Sequence, residues 1–534
     1  MTTIRPMSDV AGASAQLTAG LALHRAGDLA GAERCYLDAI AVDSTQAEAL
    51  KLLSVLALES GDLTRATAYV DAALVQRPTA GEYWHLLGRI KLQQGELEAA
   101  LGALSRAVSN GTPQRRDALL DLATCQARRK AWQGSLEAAR AVLADFPDHA
   151  DAQRIAGYAC FHLSRDSEAL AHFERFLTGV PSHAGAWHAS SVLLLRSGNA
   201  GAAFDRAVKA GELAPDNVEY AYQRRLSAAN AVPSWHFNML HDAPRNAAFA
   251  EGIAARIKRD QLVLEIGTGA GLLALLAGRS LAELGGSGRV VTCEANPVLA
   301  RTAVEIVAAN GLSERVQVIA KPSTELSVGV DLPERADLLI CEVFSVQVIS
   351  EGVLPTLEDA KARLLKADAL IIPASASARG ALVASEALAR KVRVGSEQGF
   401  ELSALNAFAP VVQYLQPGLE LTLLSDALDL LSFDLAGRSH FPAEKRSIEV
   451  PVTAAGVCQG VVQWLRLDLA PGVDFENRPD AAEPAASQHW APVFYPFSEP
   501  VALEVGQHVT LRVSHNRSGM RVELVDVSAC TLGG

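Results

Sequence analysis

The sequence predicts a three-part chain: an all-helical repeat array, then a doubly wound parallel α/β domain, then an antiparallel β domain. Three patterns predict it. Prolines recur at Pro78, Pro113, Pro147, Pro181 and Pro215, spaced 35, 34, 34 and 34 residues apart. Over about residues 231–380, apolar β-branched runs alternate with helical patterns. From about 381 to 534, stretches such as SIEVPVTA, VVQWLRLDL and HVTLRV alternate apolar and polar residues between glycine and proline turns. A chain of 534 residues is also too long for one ordinary core.

Composition narrows the function classes. The chain is 49% hydrophobic and 20% charged, yet no uncharged apolar stretch is long enough to span a membrane, and the first twenty residues lack a secretory apolar region. The seven cysteines are scattered, with no CxxC and no metal-ligand spacing. Neither a disulfide framework nor a metal site is expected, and a reducing, cytoplasmic location is. A formal charge of −12 argues against direct nucleic-acid binding and favours a basic partner.

In the first part, breakers Gly27-Asp28, Gly61-Asp62, Gly95-Glu96 and Gly198-Asn199 keep step with the prolines. Small residues fall where a second helix must approach the first: Ala32 and Ala39, Ala66 and Ala73, Ala100 and Ala107, Ala203 and Ala210. Trp84, Gly88 and Trp187 take bulky and small positions of the first helix. This 34-residue pattern resembles the tetratricopeptide repeat, with about six units over residues 10–216 and a capping helix near 217–230. The array is assigned residues 10–230. Such units stack because none buries its own apolar face, and the concave surface would take a protein or peptide partner. His24, His85, His162, His172, His183 and His188 lie in the array and are assigned no chemistry.

In the second part, LVLEIG (262–267), RVVTCEA (289–295), VQVIAK (316–321), ADLLICEVF (336–344) and DALIIPAS (368–375) read as strands. The first ends in Glu265-Ile-Gly267-Thr-Gly269-Ala-Gly271, and Glu294 closes the second strand 23 residues after Gly271. Glycines let backbone approach a ligand at a helix N-terminus, and an acid at the second strand's end can accept bonds from ribose hydroxyls. NAD and S-adenosylmethionine both use that arrangement. The acid-x-Gly-x-Gly-x-Gly form and the helix NPVLARTAVEIVAANGL (296–312) resemble the Rossmann-like class I methyltransferases.

After the fourth strand come Glu342 and Glu351, nine residues apart, followed by Gly352-Val-Leu-Pro355. This resembles the double-glutamate loop of the protein arginine methyltransferases. Ser234 to Arg245 contains Met-Leu-x-Asp-x-x-Arg, like that family's cofactor lid. Lys321-Pro-Ser323-Thr324-Glu325 resembles its segment along adenine, and His489-Trp490 its Thr-His-Trp loop, with Gln488 in place of Thr. The likeness covers about 233–534, and some members carry tetratricopeptide repeats ahead of the core.

The resemblance implies a methyltransferase domain over 231–380 and a barrel-like substrate domain over 381–534. It implies catalytic roles for Glu342, Glu351, Asp242 and His489, with Asp242 alternatively a helix N-cap. His236, Met239, Arg245, Glu265, Gly267, Gly269, Gly271, Glu294, Ser323 and Thr324 would contact S-adenosylmethionine. Arg245 would meet the cofactor carboxylate. The glutamates would clamp a guanidinium, and the Asp242–His489 pair would carry off a proton. The implied partners are a protein substrate with an accessible arginine and a second copy of the chain. The competing readings are a repeat scaffold with an inactive core and a methyltransferase for another nucleophile. Ser345 and Gln347, without the aromatic of the best-known members between the glutamates, leave product multiplicity open.

Overall fold

The computed structural model describes residues 7–415, 418–479 and 490–528. The chain divides into two compact units, Met1–Ala231 and Val232–Gly534. Among the described residues the first holds thirteen helices, from Met7–Arg25 to Val218–Ala231, as six successive pairs and a final single helix. The breakers work in two steps. Gly27, Gly61, Gly95 and Gly198 adopt positive φ, which ends one helix without steric conflict. Asp28, Asp62 and Asn199 then cap the next helix, accepting from Gly31 N (2.8 Å), Arg65 N (3.0 Å) and Ala202 N (3.2 Å). Each such cap contributes about 1 kcal/mol. In the two units without a glycine breaker, Lys130 and Ser164 take the left-handed position.

The eight paired alanines are all fully buried. A Cβ on Gly88 would stand 2.6 Å from Leu104 Cδ2, so only glycine allows that helix approach. Trp84 and Trp187 donate from Nε1 to the carbonyls of Pro78 (2.7 Å) and Pro181 (2.8 Å), tying helix to preceding turn.

In the second unit a helix, Trp235–His241, and another, Ala243–Arg256, precede the parallel sheet. Its strands are β1 (Leu262–Ile266), β2 (Arg289–Cys293), β3 (Val316–Ile319), β4 (Ala336–Cys341) and β5 (Leu365–Ile372). Their order is β3-β2-β1-β4-β5. The chain therefore reverses direction across the sheet between β1 and β4, and a ligand crevice forms at the carboxyl ends there. β1 is buried at every residue, as a strand covered on both faces should be.

The antiparallel part begins with β6 (Ser375–Ala384), so the expected junction at 380/381 falls inside a strand. The physical reason is continuity of burial. One apolar core runs from Phe249 and Val263 through Leu382 to Leu469 and Val509. Where Gly252 meets Leu469, an added Cβ would come to 2.7 Å. Among the described residues the strands of this part form antiparallel sheets of seven, three and two strands, the first containing β6, Gly456–Ala470 and Val493–Leu503. A 3-10 helix, Ser403–Phe408, interrupts the strands.

Candidate active site

Residues from β1, β2, the segment after β4 and the helix Trp235–His241 line a cavity of about 400 Å³. Its floor is the glycine loop. Gly267, Gly269 and Gly271 have φ of +84°, +52° and +88°. A Cβ on Gly267 would stand 2.7 Å from Val343 Cγ1, so the loop must be glycine to lie against the segment after β4. Glu294 braces the loop: its Oε2 accepts from Gly269 N (2.9 Å) and its Oε1 from Asn296 N (2.8 Å). Each oxygen keeps a lone pair for a ligand hydroxyl.

Glu265 lines the cavity from beneath, fully buried. Its Oε2 accepts from the hydroxyls of Thr268 (2.6 Å) and Thr292 (2.5 Å), and burial pushes its carboxyl up. The β1–β2 register sets Thr292 opposite Glu265. The carboxyl is thus a keystone for the loop, a task its place in the motif did not reveal.

Over the loop sits the helix Trp235–His241. His236 Cε1 and Met239 Cε lie 3.5 and 3.9 Å from where a Gly269 Cβ would be. Trp235 stacks on the His236 ring at 3.8 Å. Burial holds the His236 imidazole below its usual pKa, hence neutral at pH 7, and its buried Nδ1 has no protein partner. Ser323 lines the cavity and its carbonyl accepts from Arg363 Nη2 (3.1 Å). Thr324 is exposed and outside the lining.

The same cavity reaches the two glutamates. Glu342 leaves the end of β4 with its side chain 7% exposed. Arg245, 1% exposed, donates to it from Nη2 and to Asn246 Oδ1 from Nη1 (2.8 Å). The guanidinium lies between the rings of Phe249 (5.1 Å) and Trp490 (5.5 Å). Burial pushes the Glu342 carboxyl up to about 7 even against this cation. Glu351 stands at the rim, exposed on one side, and the burial of its other side pushes its carboxyl up as well. Between them Val348 takes φ +72°, a conformation a β-branched side chain strongly disfavours.

Asp242 is the N-cap of Ala243–Arg256, accepting from Arg245 N (3.2 Å), and is buried. That cap aims Arg245 at the cavity. His489, expected beside Asp242, lies outside the described residues. Its neighbour Trp490 donates from Nε1 to the carbonyl of Phe344 (2.8 Å), inside the glutamate loop. Among the described residues no cluster of His, Cys, Asp or Glu could hold a metal ion.

The donor set suits S-adenosylmethionine. A backbone-braced acid, a neutral His236 with a vacant ring nitrogen and a buried arginine converge on one cavity of adenosine size. Over 302 residues the chain is 36% identical to an arginine N(omega)-methyltransferase of Streptomyces achromogenes subsp. streptozoticus, covering 56% of this chain and 80% of that protein. The chain belongs to the arginine N-methyltransferase family. This arginine methyltransferase is also 31% identical to the rat protein arginine N-methyltransferase 7, over 54% of its own length and 44% of the relative's. It therefore spans less than half of that larger protein. A solved Trypanosoma brucei PRMT1 enzyme–prozyme heterotetrameric complex with AdoHcy overlays 53% of the chain and 90% of its own, with TM-score 0.46 and 19% identity. Residues 17–81, 85–143 and 132–184 match the tetratricopeptide repeat family. The methyl donor of the family is S-adenosylmethionine, and among the described residues no helix is long and apolar enough to cross a membrane.

Proposed function

We propose that residues 232–534 methylate a guanidinium nitrogen of arginine in protein substrates, and that the repeats recruit those substrates. The observation that supports it best is two carboxylates, Glu342 and Glu351, lining one cavity with the braced glycine loop and Glu294. S-adenosylmethionine, when bound, supplies an electrophilic sulfonium methyl. Glu294 would accept the ribose hydroxyls, and Ser323 would stand by the adenine. Arg245 would hold the carboxylate, and His236 and Met239 would close the site over it.

The guanidinium arrives as a cation that no carboxylate can deprotonate outright. Glu342 and Glu351 would bind its planar fork from two sides and aim one nitrogen into the cavity. They also concentrate electron density on that nitrogen. The nitrogen gains a methyl and then sheds a proton, which Asp242 with His489 would accept. A bound cation would lower the raised Glu342 carboxyl, so substrate itself favours the working charge state.

The repeats offer a groove of about 530 Å³ on three successive inner helices, lined by Lys51, Glu82, His85, Arg89, Asp117 and Asp121. It mixes both charges, which suits a charged protein segment. Self-association is supported by the exposed apolar residues Phe400, Leu405, Phe408 and Val411. Free cysteines throughout the described residues support a cytoplasmic setting.

Labelled S-adenosylmethionine, incubated with an arginine peptide, a lysine peptide and free L-arginine, tests the reading. Label on the peptide arginine is expected. Label on free arginine alone would favour a small-molecule enzyme, a second reading motivated by the Streptomyces relative, whose name specifies arginine without protein. No label on any acceptor would favour the scaffold.

A further inference from the structure

The segment between the two glutamates is held by side chains more than a hundred residues away. Gln463, fully buried on the strand Gly456–Ala470, donates from Nε2 to the carbonyl of Val346 (2.7 Å) and of its own neighbour Trp464 (2.8 Å). Gln347 donates from Nε2 to the hydroxyl of Tyr495 on the adjacent strand (2.7 Å). Val461 pairs with Tyr495 and Gln463 with Val493, so Gln463 and Tyr495 share one face of the sheet as diagonal neighbours.

We propose that Gln463 and Tyr495 are positioning residues: they fix the loop that carries Glu342 and Glu351 and so set the geometry of the acceptor clamp. The proposal rests on the arginine-methylation reading. Two features argue that this anchorage serves the site and not the fold. Gln463 Oε1 is buried with no hydrogen-bond partner, an arrangement that an apolar side chain would avoid. Val348, one residue beyond Gln347, is held at positive φ while its N–H bonds to the Ser345 carbonyl (2.8 Å). A strained turn of this kind persists only where its surroundings over-determine it, and the two amide anchors, at the Val346 carbonyl and the Gln347 side chain, do that. Phe344, Val346, Val348 and Ile349 are buried. Packing thus keeps the loop down, while the hydrogen bonds choose its register.

The test uses full-length Gln463→Met, which keeps length without the amide, and Tyr495→Phe, which removes one hydroxyl. Expected are a fall in kcat of at least about ten-fold for Gln463→Met, smaller for Tyr495→Phe, and a raised KM for the arginine substrate. Affinity for S-adenosylhomocysteine should be unchanged and Tm within roughly 2 °C of wild type. Hydrogen exchange over residues 343–350 should quicken in both variants. Unchanged exchange would overturn the anchor, and faster exchange with unchanged kcat would overturn its positioning role. A kcat loss matched by a large drop in Tm would make the role structural, and Tyr495→Phe, the milder change, decides that case. Wild-type protein inert toward arginine would defeat the arginine reading and the clamp with it. That failure is told apart from failure of the anchor because the exchange measurement needs no substrate.

Discussion

Arg245 and Glu342 form a buried ion pair in which the arginine is expected to serve two masters, a cofactor carboxylate and the glutamate that holds the acceptor. Its Nη2 binds Glu342, its Nη1 binds Asn246, and its buried Nε has no partner. The Asp242 cap on Arg245 N fixes where this side chain starts. On the proposed roles, cofactor binding and the charge of the acceptor site would be coupled through one guanidinium.

That coupling predicts a pH dependence. The Glu342 carboxyl is raised from 4.5 to about 7, so the folded state keeps a proton that the unfolded chain has released. Between these values stability falls as pH rises, by roughly 3 kcal/mol at most. In Glu342→Gln this loss is absent, so the variant's Tm relative to wild type should climb between pH 5 and 8. For wild type, kcat/KM for arginine should rise with pH through about 7 as the free carboxyl ionises. A pH-independent Tm difference, read by calorimetry, would remove the raised carboxyl from the account.

The cofactor half gives a second prediction. Glu294→Ala removes both the acid and its two bonds to backbone, and should weaken S-adenosylhomocysteine binding by roughly 2 kcal/mol or more. Gly267→Ala should do worse for a different reason, because its Cβ would overlap Val343 Cγ1 and strain positive φ. Titration calorimetry on both, with the Tm of each cofactor-free protein, separates a lost contact from a displaced loop. Full affinity in Glu294→Ala would exclude Glu294 from the site.

Much of this was legible in the chain because the signals are local. Proline spacing, paired alanines and Gly-Asp breakers each act within a helix turn or two, so the repeat count follows from them. Lys130 and Ser164 carry no such signal: nothing in their chemistry marks the left-handed turn that the stacking imposes. The strand-end acids were visible for the same local reason. Glu265 shares the glycine motif, yet only the register opposite Thr292 shows that its oxygen is occupied by hydroxyls. Thr324 sits beside Ser323 in sequence but faces outward, as neighbours in a 3-10 turn can. Gln463 and Tyr495 belong to no motif, and only the tertiary fold brings them under the glutamate loop.

The repeats supply a third prediction. Residues 1–231 form a compact unit of their own, and among the described residues the cavity is lined by those from 233 to 351. Deleting 1–231 should leave S-adenosylhomocysteine affinity nearly intact. Methylation of a folded protein target should fall more than that of a short arginine peptide, because remote binding is lost. Equal losses on both substrates, in steady-state assays, would make the array a support for the core.

The last prediction concerns the clamp. Glu342→Gln and Glu351→Gln keep shape but remove the charges facing the guanidinium. If both carboxylates act on one planar cation, each change should cost at least about 3 kcal/mol of transition-state stabilisation, roughly 10²-fold in kcat/KM. The double variant should be little worse than the poorer single, because groups acting as a unit are not additive. Glu342→Gln also leaves Arg245 without its anion, so cofactor binding should respond more there than in Glu351→Gln, where no such pair exists among the described residues. Glu351→Gln is thus the cleaner test of acceptor binding: S-adenosylhomocysteine affinity unchanged, arginine turnover lost. Near-normal arginine methylation by the double variant would make the nine-residue spacing of these glutamates a coincidence.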